Sequence, residues 1–253
     1  MNSLMSVAVA AAVSIAGVVS TPNVAAAEKT VVLIHGAFAD GSSWNRVIPL
    51  LQAKGLKVVA VQNPLSSLAA DVDATNRAID AQSGPVILVG HSYGGMVITQ
   101  AGVNPKVAAL VYIAAFAPPK GESINEIGKG QPPSWAGSAT KDAGGFFWLK
   151  QEAVEKFFAQ DLPKKEASVL AATQGPIFGG AFDDEVTETA YASKPSWFVV
   201  PKQDRMIPPE AQLGMAKAAN AKITEINASH VVMLSKPKAV ADVILAASSS
   251  IKN

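Results

Sequence analysis

The chain has 253 residues, of which 49% are hydrophobic and 16% charged, enough apolar surface for one globular domain of moderate size. With 21 basic and 20 acidic residues the formal net charge is +1, so the electrostatic footprint of a nucleic-acid or anionic-membrane binder is missing. Cysteine is absent, which excludes disulfides, thiolate metal sites and cysteine catalysis.

Residues 1–27 carry no charged side chain, Val7 to Val19 is an apolar run, and Ala25-Ala26-Ala27 offers small residues before Glu28. This pattern predicts a secretory signal peptide cut after Ala27 and an exported, periplasmic or secreted protein, although MNSLM lacks the usual Lys or Arg. The run is short for a spanning helix and no second one follows, so the mature chain 28–253 is expected to have no membrane span.

Thr30 to His35 reads as a buried strand, and Gly36 to Gly41 as the loop after it. Ser43 to Lys54 is expected to be a helix stopped by Gly55, Lys57 to Gln62 a strand, and Leu68 to Gln82 an amphipathic helix. Pro85 to Met96, PVILVGHSYGGM, follows: a buried strand, a tight Gly-rich turn, and a helix that stops at Asn104-Pro105. Val107 to Ala115 is the fourth strand.

Regularity then lapses from Lys120 to Lys194, a stretch punctuated by Pro and Gly with no obvious central strand. It carries helical candidates at Gln151 to Gln160 and Lys164 to Thr173, and most of the aromatic residues. Ser196 to Val200 resumes the alternation, with a helix at Pro208 to Ala219, a last strand at Lys222 to Asn227 and a last helix at Lys238 to Ser248. Ala246 to Asn253 is read as a frayed tail. The order implies an α/β protein with about six mainly parallel strands, flanked by helices on both faces. A cap of about residues 120–194 is inserted between the fourth and fifth strands.

The chemistry is anchored in Gly90-His91-Ser92-Tyr93-Gly94, which fits G-x-S-x-G in the strand–turn–helix setting of a nucleophile elbow. Neither a Walker-type nor a dinucleotide-type glycine pattern accompanies it, so a phosphate cradle is the weaker reading. A serine nucleophile needs a base within hydrogen-bond reach. His91 adjoins Ser92 and points elsewhere, and His35 is suited to ordering its own loop. His230, after the last strand at the carboxyl edge of the sheet, remains as the base.

Asp204, after the fifth strand, is the expected partner of His230, ahead of Asp183, Asp184 and Asp242; it gives the chain order Ser92, Asp204, His230. The tetrahedral intermediate also needs two donors. One is the N–H of Tyr93 and the other an N–H of the loop after His35, from Ala37 ahead of Phe38. Phe38, Trp148 and Met233 are candidates for the substrate pocket. Three scattered histidines and no cysteine predict neither metal nor cofactor.

LIHGAFADGSSW, VILVGHSYGGMV, YIAAFAP, DRMIP and SHVVMLSKP together resemble the α/β-hydrolase superfamily, and within it the branch of plant methylesterases, hydroxynitrile lyases and their bacterial relatives. The resemblance covers nearly all of 28–253 and is weak across the cap. It implies an α/β-hydrolase fold with catalytic Ser92, Asp204 and His230 and oxyanion donors at Ala37 and Tyr93, in agreement with the assignments above. The lyases of this branch carry a lysine directly after the catalytic histidine, where this chain has Val231. The expected activity is therefore a carboxylesterase acting on small to medium, partly apolar esters, with no cofactor and a small-molecule substrate as its partner. The alternatives are a hydroxynitrile-lyase-like or other non-hydrolytic enzyme, and a small-ligand-binding protein with slow turnover.

Overall fold

The computed structural model describes residues 28–128 and 132–251. The expected signal peptide therefore lies outside the described residues. Six strands form one sheet: β1 (Thr30–Ile34), β2 (Lys57–Val61), β3 (Val86–His91), β4 (Val107–Ile113), and, after the insertion, two more at Ser196–Pro201 and Lys222–Ile226. Numbered in chain order, these last two are β8 and β9, and the strand order is β2-β1-β3-β4-β8-β9, parallel throughout.

Composition explains that order. β1 (TVVLI) and β3 (VILVGH) are buried at every position, which only central strands covered on both faces can be. β2 and β9 are partly exposed along their length and occupy the two edges. The covering helices are α1 (Ile48–Gln52), α2 (Leu68–Asp80) and α3 (Gly94–Ala101) in the first half. In the second half they are α7 (Pro209–Ala218), α8 (Val232–Ser235) and α9 (Pro237–Ser250). α2 packs on α3, and α1 on α9. Between β4 and β8 the ring of Tyr112 stacks on that of Phe198, 5.3 Å between centroids. Thr99 donates to the Gly95 carbonyl at 2.8 Å, so the buried Tyr112 hydroxyl donates to Thr99 Oγ1 at 3.0 Å.

Among the described residues, the insertion between β4 and β8 contributes no strand to this sheet. It builds its own small antiparallel one from β5 (Ala139–Lys141), β6 (Phe146–Leu149) and β7 (Ile177–Phe178). Strands of two to four residues are too short for alternation to register, which is why the sequence reads as irregular here. The α-helices that accompany them among the described residues are α4 (Ile124–Ile127), α5 (Gln151–Ala153) and α6 (Lys164–Thr173).

Three further expectations are corrected. The helix expected over Ser43 to Lys54 is a 3-10 turn, Gly41–Trp44, followed by α1, because Pro49 is compatible only with a helix's first turn. The helix expected over Gln151 to Gln160 leaves α geometry after Ala153 and continues as a π turn, Val154–Phe158. The tail is not frayed from Ala246: α9 runs to Ser250 and buries Ala247 and Ser248. Its end is held by the Lys29 ammonium, which donates to the carbonyl oxygens of Ser248 (3.3 Å) and Ile251 (2.9 Å).

Candidate active site

Parallel pairing brings the carboxyl ends of all six strands to one edge of the sheet. Ser92 follows β3 there, Asp204 follows β8 and His230 follows β9. Ser92 has φ 53, a left-handed conformation that costs a non-glycine residue energy and that the surroundings must enforce. Enforcement comes from hydrogen bonds on both sides of its peptide planes: its N–H donates to Ile113 O (3.2 Å), and its carbonyl accepts from Gly95 N (2.9 Å) and Phe116 N (3.1 Å). Helix and strand approach so closely here that a Cβ on Gly90 would strike the Gly94 carbonyl, and one on Gly94 would lie 2.8 Å from the carbonyl oxygens of Ile34 and His35.

Asp204 and His230 are both buried, and the carboxylate accepts from the ring at 2.8 Å, Nδ1 to Oδ2. Three further donors complete the carboxylate's shell. Met206 N (2.8 Å) and Ile207 N (3.0 Å) reach Oδ1, and Gln212 Nε2 (2.8 Å) reaches Oδ2. A carboxylate only accepts, so Nδ1 of His230 carries a proton, and in the neutral imidazole Nε2 presents a lone pair. Among the described residues Nε2 is buried with no hydrogen-bond partner. The rivals of Asp204 are engaged elsewhere: Asp183 accepts from Asn125, Asp184 from the N–H of Leu68, and Asp242 pairs with Lys238 on the exposed face of α9.

The other two histidines have structural duties. His35 Nε2 accepts from the N–H of Asn63 (2.9 Å), so Nδ1 donates to the Gly36 carbonyl (2.9 Å), and burial lowers its pKa. His91 is completely buried and directs Nε2 at the carbonyl oxygen of His230 (3.1 Å), with the two ring centroids 4.7 Å apart. Burial, followed by the neighbouring His230, holds its pKa well below 6.5, so it is a neutral donor.

Ala37 and Phe38 form the turn after β1, with Phe38 at φ 58. Among the described residues, neither the N–H of Ala37 nor that of Tyr93 donates to a protein acceptor. Of the pocket candidates, Phe38 is buried in this turn, Met233 is buried in α8 just past His230, and Trp148 is half-buried in β6 opposite Thr140.

The insertion side chains that meet the site are ones the sequence did not single out. Phe158, from the π turn, lies 5.2 Å from the His230 ring and 6.3 Å from that of His91. Trp135 packs edge-on against Phe38 (5.5 Å) and donates to the Met206 carbonyl (3.2 Å). Phe182 meets the ring of Tyr93. A π turn re-aims one side chain relative to an α-helix, a departure with no periodic signature in sequence.

Tyr93 also has a partner that sequence reasoning missed. Its hydroxyl donates to Asp71 Oδ2 at 2.8 Å, inside the protein. Burial pushes the Asp71 carboxyl up to about 6, and burial followed by the adjacent Asp71 raises the pKa of Tyr93. Among the described residues no group of three or more His, Asp or Glu side chains could hold a metal ion, and no helix is long and apolar enough to cross a membrane.

Comparison with known proteins agrees with this architecture. The α/β hydrolase family model matches residues 31–243. A probable hydrolase R7 from Phoma sp. is 26% identical, over 85% of this chain and 96% of that protein. Methylesterase 1 from Arabidopsis thaliana is 27% identical, over 85% of this chain and 94% of its own length. Polyneuridine aldehyde esterase superposes with a TM-score of 0.76 at 21% identity, covering 87% of this chain and 99% of that structure. With its parallel six-stranded sheet, its serine turn after β3 and its buried histidine–aspartate pair, the chain belongs to the α/β-hydrolase family.

Proposed function

We propose that the protein is a cofactor-independent serine esterase that cleaves small to medium, partly apolar carboxylic esters. The observation that carries this reading is His230: Asp204 holds the proton on Nδ1, and Nε2 is left as a buried lone pair at the strand edge where Ser92 turns out of β3. In the proposed mechanism Ser92 Oγ attacks the ester carbonyl while Nε2 takes its proton. Asp204 stabilises the imidazolium as it forms.

The N–H groups of Tyr93 and Ala37 receive the oxyanion; such a donor is worth roughly a hundredfold or more in rate. The imidazolium then protonates the departing alkoxide, leaving an acyl group on Ser92. A water deprotonated by Nε2 attacks that acyl group, and the collapse returns the proton to Ser92 and releases the acid. Phe38, Trp135 and Phe158 supply apolar surface beside these groups, which favours an ester with an apolar portion.

Val231 speaks against a cyanohydrin lyase. The position after the base is a buried aliphatic side chain, with no cation of its own to stabilise a leaving cyanide. The methylesterase relative supports ester chemistry. The test is steady-state hydrolysis of p-nitrophenyl esters of increasing acyl length by the protein and its Ser92→Ala and His230→Ala variants. Both substitutions are expected to lower kcat by at least about a thousandfold. Turnover that survives Ser92→Ala would overturn the proposal.

A further inference from the structure

Asp71 stands in the first turn of α2 and is completely buried. Oδ1 accepts from the N–H of Leu65 at 2.8 Å and Oδ2 from the hydroxyl of Tyr93 at 2.8 Å. Among the described residues it forms no ion pair; the charged group nearest to it in effect is another carboxylate, Asp184, itself tied to the N–H of Leu68 at 2.7 Å. A buried carboxylate without a cation is costly, and an apolar pair would fill the same space without that penalty. Stability alone therefore gives a poor account of Asp71.

What it holds gives a better one. Tyr93 is the residue after Ser92 and caps the start of α3, and its N–H is the oxyanion donor in the mechanism above. Its ring is buried, edge-on to Phe182 of the insertion at 6.3 Å between centroids, and its hydroxyl is fixed to α2. The Leu65 that Asp71 also holds has φ 56, and its carbonyl accepts from Phe178 of β7 at 2.8 Å. One carboxylate thus joins the loop after β2, the insertion and the elbow.

We propose that Asp71 is a positioning residue that acts through the Tyr93 side chain to set the direction of the Tyr93 N–H toward the developing oxyanion. The inference rests on the esterase reading. It calls for an effect on the transition state rather than on substrate binding, because the tethered group is a donor aimed at charge absent from the ground state.

The test compares the protein with Asp71→Asn, Tyr93→Phe and the double variant on a p-nitrophenyl ester, with rates normalised to the burst of p-nitrophenol so that inactive molecules do not count. Each single variant is expected to lower kcat by about tenfold to a hundredfold with KM within about twofold. The double variant should be no worse than the worse single one. Inhibition by an aryl trifluoromethyl ketone, whose serine adduct carries the oxyanion, should weaken by the same factor as kcat. A normalised kcat within about twofold of the parent, effects that multiply in the double variant, or unchanged ketone affinity would each overturn the inference while leaving the esterase intact. Loss of every burst-competent site in Asp71→Asn would assign the pair to folding and also overturn it. Absence of Ser92-dependent turnover in the parent would overturn the esterase reading, and this inference with it.

Discussion

His91 donates through Nε2 to the main-chain carbonyl oxygen of His230 at 3.1 Å, so the residue before Ser92 anchors the backbone of the proposed base. The base is thereby held at two points, by Asp204 through its ring and by His91 through its peptide. His91→Phe keeps a ring in the site but leaves that buried carbonyl unpaired. It should lower stability by about 1–3 kcal/mol and kcat by roughly tenfold. Urea denaturation alongside steady-state kinetics checks both, and an unchanged kcat would show that the peptide of His230 needs no such anchor.

The four donors around Asp204 predict a graded series. Asp204→Asn replaces an acceptor with an amide that can face His230 with its own N–H, which frees the ring to adopt the wrong tautomer; kcat should fall by about ten-thousandfold. Gln212→Leu removes only one of the four donors and should cost roughly tenfold, with KM nearly unchanged. Steady-state kinetics on one ester tests the order, which would be refuted if Gln212→Leu were the more damaging of the two.

Buried ionisable groups make stability depend on pH in two opposing ways. His35 and His91 have folded pKa values below 6.5, so the unfolded chain takes up protons that the native state refuses. Their contribution is present above about pH 6.5 and is lost as pH falls below it toward the folded values. Asp71 behaves in the opposite sense. Its carboxyl rises from 3.8 to about 6 on folding, so its contribution is present below 3.8 and is lost as pH climbs through about 6. That rise corresponds to about 3 kcal/mol at neutral pH. Asp71→Asn should therefore gain stability relative to the parent between about pH 4 and about pH 7, by an amount of that order. Urea midpoints at both ends of the range measure it, and a constant difference would contradict the buried charge.

Phe158 ties the insertion to the histidines, and its neighbours tie the same segment to the acid and base loops. Arg205 donates to Lys156 O (2.9 Å), Gln160 to Gln203 O (2.6 Å), and the N–H of Ser229 to Asp161 (2.9 Å). Phe158→Ala removes the one apolar member of this clamp. It should destabilise the protein by about 3–5 kcal/mol and lower kcat by admitting water beside His230. Denaturation midpoints and ester turnover test it together, and full activity in a destabilised variant would separate packing from catalysis.

Much of the fold was legible in the chain because its signals are local. Val86 to Val89 had to be a buried strand, and glycines at positions 90, 94 and 95 had to be a close turn into a helix, whatever the rest of the chain did. Three scarce histidines narrowed the base by elimination. The insertion was opaque because its strands are shorter than one readable period and its key helix departs from α geometry at Val154.

The partners of the polar groups were beyond reach for a different reason. The hold of His91 on His230 and the Asp71–Tyr93 bond join residues 139 and 22 positions apart, and no local pattern marks either pair. The sequence by itself determined the strands of the main sheet, the serine turn and the order of the candidate residues, because sterics and apolar periodicity act between neighbours. Beyond the expected Asp204–His230 pair, only the tertiary structure decided which buried donor meets which acceptor, because that follows from how the sheet and its insertion close over one edge.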